Sequence, residues 1–218
     1  LHDLTNPQQM NRLLQGDVGS GKTIVATIAA LVAIENGFQA VIMAPTEILA
    51  EQHYTKISAL LTDLDLNVVW LTGSLTAKTK REALAKCSSG EAQLIIGTHA
   101  VFQKDVEFKQ LGLVVIDEQH RFGVEQRLAL VNKGQNELHP HQLMMSATPI
   151  PRSLAMSYYA DLDVSSIDEL PPGRTPIKTL LINNVRRKEV IKFVQQHACL
   201  GNQAYWVCPL IEEAEKLE

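Results

Sequence analysis

Short apolar runs alternate along this chain with longer stretches whose apolar residues recur at helical spacing. Arg12-Leu13-Leu14-Gln15, Ala40-Val41-Ile42-Met43-Ala44, Val68-Val69-Trp70-Leu71, Gln93-Leu94-Ile95-Ile96-Gly97, Leu113-Val114-Val115-Ile116 and Gln142-Leu143-Met144-Met145-Ser146 read as strands. They are continuous and rich in branched residues rather than alternating, the pattern of strands buried on both faces. Ile24 to Ile34, Glu47 to Leu61 and Ala77 to Cys87 read as helices between them. Gly37 stops the first helix, and Pro45 ends the second strand. This alternation predicts an α/β domain over residues 1–158, with a parallel sheet covered by helices on both faces. In such folds ligands bind at the carboxyl ends of the strands.

The pattern breaks from Asp161 to Lys178. Leu170-Pro171-Pro172-Gly173-Arg174-Thr175-Pro176 cannot continue a helix, so residues 159–178 read as a linker or extended arm. Thr179-Leu180-Leu181-Ile182 reads as a strand again, Glu189 to Leu200 as an amphipathic helix, and Ala204-Tyr205-Trp206-Val207-Cys208-Pro209 as a further strand. Residues 179–218 thus predict the start of a second α/β domain, cut off at Glu218.

Composition narrows the class. The 218 residues are 45% apolar and 20% charged, enough to bury a core. With 20 Lys and Arg against 24 Asp and Glu, the formal net charge is −4. The chain as a whole is therefore no polycation, and any nucleic-acid contact must come from a local surface. Cys87, Cys199 and Cys208 fit neither a disulfide framework nor a metal knuckle; they read as buried or half-buried thiols in a reducing cytoplasm. No apolar run reaches the roughly 20 residues of a membrane span. Leu1-His2-Asp3-Leu4 is not a signal peptide, and the abrupt ends suggest an excerpt of something longer.

Chemistry enters at the ends of the predicted strands. Gly16-Asp17-Val18-Gly19-Ser20-Gly21-Lys22-Thr23 fits the P-loop pattern at every fixed position, between a strand and a helix. Glycines let the backbone N–H groups wrap a phosphate, and the following helix adds the positive end of its dipole. Lys22 is expected to reach the β- and γ-phosphates and Thr23 to ligate Mg²⁺. Leu113 to Ile116 runs into Asp117-Glu118. A carboxylate beside a P-loop suits Mg²⁺, which prefers hard oxygen ligands, so Asp117 is the expected metal contact. Glu118 is expected to orient and deprotonate the attacking water.

Asp117-Glu118-Gln119-His120, followed by Ser146-Ala147-Thr148 after its own strand, resembles the motifs of the superfamily 2 helicases, the DEAD/DEAH-type motors. The resemblance implies a RecA-like P-loop NTPase domain plus the start of a second one, with ATP and Mg²⁺ as cofactors. It implies that His120, Ser146 and Thr148 couple the hydrolysis site to DNA. Ala44-Pro45-Thr46-Glu47-Ile48-Leu49-Ala50-Glu51-Gln52, Thr72-Gly73-Ser74 and Gly97-Thr98-His99-Ala100 resemble the DNA-contacting loops of that family, making Thr46, Thr72, Gly73 and Thr98 the expected DNA contacts. As strand-to-helix turns with hydroxyl residues, they suit phosphate contacts independent of sequence.

The segments 117–124, 145–156, 168–176 and 203–208 more narrowly resemble the RecG family of bacterial ATP-dependent DNA helicases. That resemblance implies translocation on duplex DNA driving branch migration and fork reversal, in the cytoplasm at the nucleoid. It implies branched or forked DNA, a wedge domain and the rest of the second motor domain as partners. The arginine finger would lie in that second domain, so this stretch alone is expected to bind nucleotide weakly and hydrolyse it very slowly. Two rivals stand beside this reading: a transcription-repair coupling-factor-type translocase, and an ATP-dependent switch that clamps a partner without stepping. His139-Pro140-His141 reads as a surface loop, Arg186-Arg187-Lys188 as a solvated helix start, and Trp70 and Trp206 as core. Arg121 and Arg152 are second-tier candidates for coupling or DNA contact.

Overall fold

The computed structural model describes residues 2–6, 8–118, 139–148, 162–169, 173, 175 and 177–207. Seven strands lie among them: β1 (Asn11–Gly16), β2 (Gln39–Met43), β3 (Val68–Leu71), β4 (Leu94–Gly97), β5 (Leu111–Ile116), β6 (His141–Ser146) and β7 (Asp163–Ile167). They form one sheet in the order β3-β4-β2-β5-β6-β1-β7, and every pairing is parallel. Helices α1 (Lys22–Glu35), α2 (Glu47–Leu60) and α3 (Ala77–Ser89) make crossovers. Parallel strands require such connections, which cover the sheet's faces.

Side-chain alternation along each strand splits the core in two. Leu13, Val41, Met43, Ile95, Val114, Ile116 and Met144 pack on one face with Ala83 and Cys87 of α3. Leu14, Ala40, Ile42, Ile96, Val115 and Met145 pack on the other with Ala26, Ala30 and Ile34 of α1 and Ile57 of α2. Helix ends follow local chemistry. Thr46 caps α2 by accepting from the Leu49 amide, and Thr76 caps α3 by accepting from the Thr79 amide. After α1, Gly37 at φ 83° lets its amide donate to Ile34 O and that of Phe38 to Ala33 O, a Schellman motif.

Polar groups tie the amino ends of the strands together. Gln39, 3% exposed, donates through Nε2 to the carbonyls of Cys87 and Ala92 and accepts from the Gln110 amide. Arg12 donates to Asp3 at 2.6 Å and to Ser165 Oγ at 2.9 Å, and pairs with Asp163 at 3.3 Å. The Arg12 hydrogen bond holds the Asp3 carboxyl below its usual value. His141 accepts the Met10 amide on Nδ1, and desolvation lowers its pKa. The 139–141 segment thus leads into a strand rather than standing apart as a loop.

The chain divides into two compact units, Leu1–Arg174 and Thr175–Glu218. In the second, a short 3-10 turn (Asn184–Arg186) leads into α4 (Arg187–Cys199), which buries no residue. Arg186 and Glu189 pair at its exposed start.

Several expectations need correction. Asp163–Ile167, read as part of the arm, is the edge strand β7 beside β1. Residues 179–182 and 204–207, read as strands, form none. Without a neighbouring strand their backbone groups have no ladder to join, and Leu181, Tyr205 and Val207 stand exposed. Trp206, read as core, is 49% exposed, while Trp70 packs against the α1–α2 core and meets Tyr54 edge-on at 5.5 Å. Cys199 is exposed, whereas burial pushes the Cys87 thiol up to about 11. Cys208 and residues 170–172, 174 and 176 of the arm lie outside the described residues.

Candidate active site

Sheet order decides which loops meet. β1, β6 and β5 are neighbours, so the turns after them share one end of the sheet: residues 16–23, Ser146-Ala147-Thr148 and Asp117-Glu118. β1 and β5 are two strand spacings apart, about 10 Å, which leaves room for a phosphate chain between their ends.

Gly19 at φ 85° and Gly21 at φ 96° take left-handed conformations that a side chain would strain. They turn the loop so that α1 starts at Lys22, with Gly21 as an N-cap lacking any side-chain bond. The first-turn amides of α1 therefore have no capping side chain at the end where the helix dipole is positive. The Lys22 ammonium donates to the carbonyls of Gly16 at 2.6 Å and Asp17 at 2.9 Å, which places a cation against the loop. The Ser20 hydroxyl is buried without a hydrogen-bond partner. Beside the loop, a cavity of about 360 Å³ is lined by Gly16, Asp17, Ala147, Ser166 and Asp168.

Asp117 closes β5, its amide donating to Met43 O. Its Oδ1 accepts the Glu118 amide at 3.0 Å, and its Oδ2 lies 2.7 Å from His53 Nε2. Glu118 has φ 49°, the one left-handed non-glycine among the described residues. That conformation costs about 1–2 kcal/mol and re-aims the side chain directly after the strand. Ser146 is fully buried. Its hydroxyl sits 3.0 Å from Thr148 Oγ1 and accepts the Thr148 amide, so serine and threonine form one hydrogen-bonded turn. His120, Arg121 and Arg152 lie outside the described residues.

The expected nucleic-acid contacts follow β2, β3 and β4, neighbours in the other half of the sheet. Thr46 and Gly73 are exposed, but Thr72 and Thr98 are 0% and 1% exposed. Thr72 bonds Ser74 Oγ at 3.1 Å. The loops are joined directly, since Glu47 Oε1 accepts the Ser74 amide at 3.1 Å. Gln9, upstream of the P-loop, donates to Pro140 O at the opposite end of the sheet, about 20 Å of strand away from the loop.

Hard oxygens are what this site offers a cation: the Thr23 hydroxyl and the Asp117 carboxylate. Among the described residues no group of three or more His, Cys, Asp or Glu could hold a metal unaided. His53 escaped the sequence reading. The signal for it was a histidine on the 50-53-57 stripe that α2 turns inward.

Known helicases resemble this chain in sequence and in fold. The chain is 59% identical over 219 residues to the ATP-dependent DNA helicase RecG of Pasteurella multocida, across 99% of this chain and 32% of that protein. It is 57% identical over 219 residues to the RecG of Escherichia coli strain K12, with the same shares. Among solved structures, that of RecG bound to a three-way DNA junction is similar with a TM-score of 0.80 and 47% identity, over 96% of this chain and 28% of that one. The chain spans about a third of the length of these relatives. Residues 2–157 match the model of the DEAD/DEAH box helicases, well over half of the sequence, and the chain belongs to that family.

Proposed function

We propose that this chain carries the ATP-hydrolysing motor of a RecG-type DNA helicase or translocase, acting in branch migration and fork reversal. The observation that carries the reading is the meeting of three loops at one end of the sheet: the P-loop, Asp117-Glu118 and Ser146-Thr148. The identity to RecG proteins along the whole chain supports it.

In this reading the amides of residues 16–23 and the Lys22 ammonium hold the phosphates of ATP, with Thr23 and Asp117 on Mg²⁺. When bound, Mg²⁺ neutralises charge on the phosphates. Glu118 accepts the proton of the attacking water. Ser146 and Thr148, with His120, pass the state of the site to the DNA loops. Thr46 and Gly73 meet DNA phosphates at the surface, whereas Thr72 and Thr98 act through loop backbone. The first motor domain runs through β7, the arm follows, and residues 179–218 open the second motor domain. The partner is branched DNA, and the place of action is the bacterial nucleoid.

Steady-state ATP hydrolysis by the full-length protein tests this, without DNA, with linear duplex and with a synthetic fork. The expected rate is greatest on the fork and falls by about 10²–10⁴ in Glu118→Gln. Equal rates with and without DNA would sink the motor reading and leave a switch.

A further inference from the structure

Helix α2 touches both halves of the carboxyl edge. Its N-cap Thr46 and first residue Glu47 belong to the loops expected to meet nucleic acid, and Glu47 holds the Ser74 amide. Two turns on, about 9 Å along the axis, His53 reaches Asp117. The buried stripe of α2 is Ala50, His53 and Ile57. An imidazole in that stripe needs a polar partner, and it has one: both side chains are nearly enclosed, at 11% and 15% exposure. An ionised carboxylate only accepts, so the imidazole donates from Nε2. With the Glu118 amide on Oδ1 and His53 on Oδ2, each Asp117 oxygen holds one donor and keeps lone-pair capacity for a cation.

We infer that His53 is a positioning residue for Asp117, and that α2 is the element through which contact at the Thr46 and Ser74 loops reaches the cation site. The inference rests on the motor reading above. Donors that fix a ligating carboxylate typically contribute 10–100-fold in metal affinity or activity. Because His53 is carried by α2, a displacement of the first turn when a phosphate engages the Ser74 loop is transmitted to the Asp117 carboxylate.

The test uses the full-length protein and three variants: His53→Ala, His53→Gln and, as a packing control on the same stripe, Ile57→Ala. Binding of a fluorescent non-hydrolysable ATP analogue is titrated against MgCl₂, and hydrolysis is measured with and without linear duplex. His53→Ala is expected to raise the Mg²⁺ concentration for half-maximal binding by about 10–100-fold and to shrink stimulation by DNA. Its analogue affinity in EDTA should stay that of the wild type. Gln, which presents an amide N–H in place of Nε2, should restore most of the Mg²⁺ response. Ile57→Ala should lower the melting temperature and leave the Mg²⁺ midpoint in place. A wild-type Mg²⁺ midpoint in His53→Ala overturns the inference, as does an equal midpoint shift in Ile57→Ala. A wild-type protein indifferent to DNA would instead overturn the motor reading itself.

Discussion

The two ends of the sheet are built on opposite principles. At the amino ends, Gln39 spends its whole amide on three backbone groups, Arg12 joins Asp3, Asp163 and Ser165, and His141 takes the Met10 amide. At the carboxyl ends stand left-handed Glu118, the left-handed glycines of the P-loop, and the buried hydroxyls of Ser20 and Thr98 without partners. Asn11 Oδ1 breaks the contrast, being a buried unpartnered atom at the amino end. The difference separates tasks: one end contributes stability, and the other holds conformations and polar groups that a ligand can use. Substitutions at the two ends should therefore fall on different measurements.

The sharpest separation is at Glu118. Glu118→Gly removes the carboxylate and frees the backbone from left-handed strain. Hydrolysis is expected to fall by about 10²–10⁴, while stability rises by about 1 kcal/mol. Urea melts beside ATPase rates check this, and a lower midpoint would break the claim that the turn is strained. Next in size is Gln39→Leu, which orphans the Ala92 carbonyl and the Gln110 amide and leaves the Cys87 carbonyl with the Gly90 amide alone. It should cost about 3 kcal/mol with nucleotide affinity unchanged. A variant with weakened nucleotide binding would show that the two ends are not independent.

The smallest effect is a pH dependence at Asp3. Its folded pKa lies below the ordinary 3.8, mainly through the Arg12 hydrogen bond. The sign follows: the contribution is present above the ordinary value and is lost as pH falls through the depressed folded one. Asp3→Asn should therefore melt slightly earlier than wild type at neutral pH, by under about 1 kcal/mol, with the two converging in strong acid. A gap that widened on acidification would contradict the pairing.

The six strands expected within residues 1–158 all form, and α1 to α3 fall within a few residues of their expected ends, because double burial leaves an apolar run that few other structures tolerate. β7 was not legible for the complementary reason. Asp163-Val164-Ser165-Ser166-Ile167 is a half-exposed edge strand, and its stability comes from the β1 ladder rather than from its own pattern. Leu180-Leu181-Ile182 shows the reverse: an apolar run with no ladder beside it stays unpaired. At the site, the P-loop and Asp117-Glu118 could be read locally because each sits on its own turn. His53 could not, because only sheet order brings α2 beside the end of β5.

The neighbours of β1 also set a schedule for synthesis. β1 leaves the ribosome before the other strands of its sheet, yet both of its partners come late: β6 about 130 residues on, and β7 later still. Ile167 of β7 pairs with Gly16 at the root of the P-loop. A nascent chain can therefore assemble the β3-β4-β2-β5 half first, while the turn after β1 waits on a strand with open edges. Such non-local pairing is slow, and unpaired edges invite association with other chains. The turn that begins at Gly16 is therefore flanked on both sides only once residue 167 is in place, so its geometry is among the last parts of this sheet to be fixed.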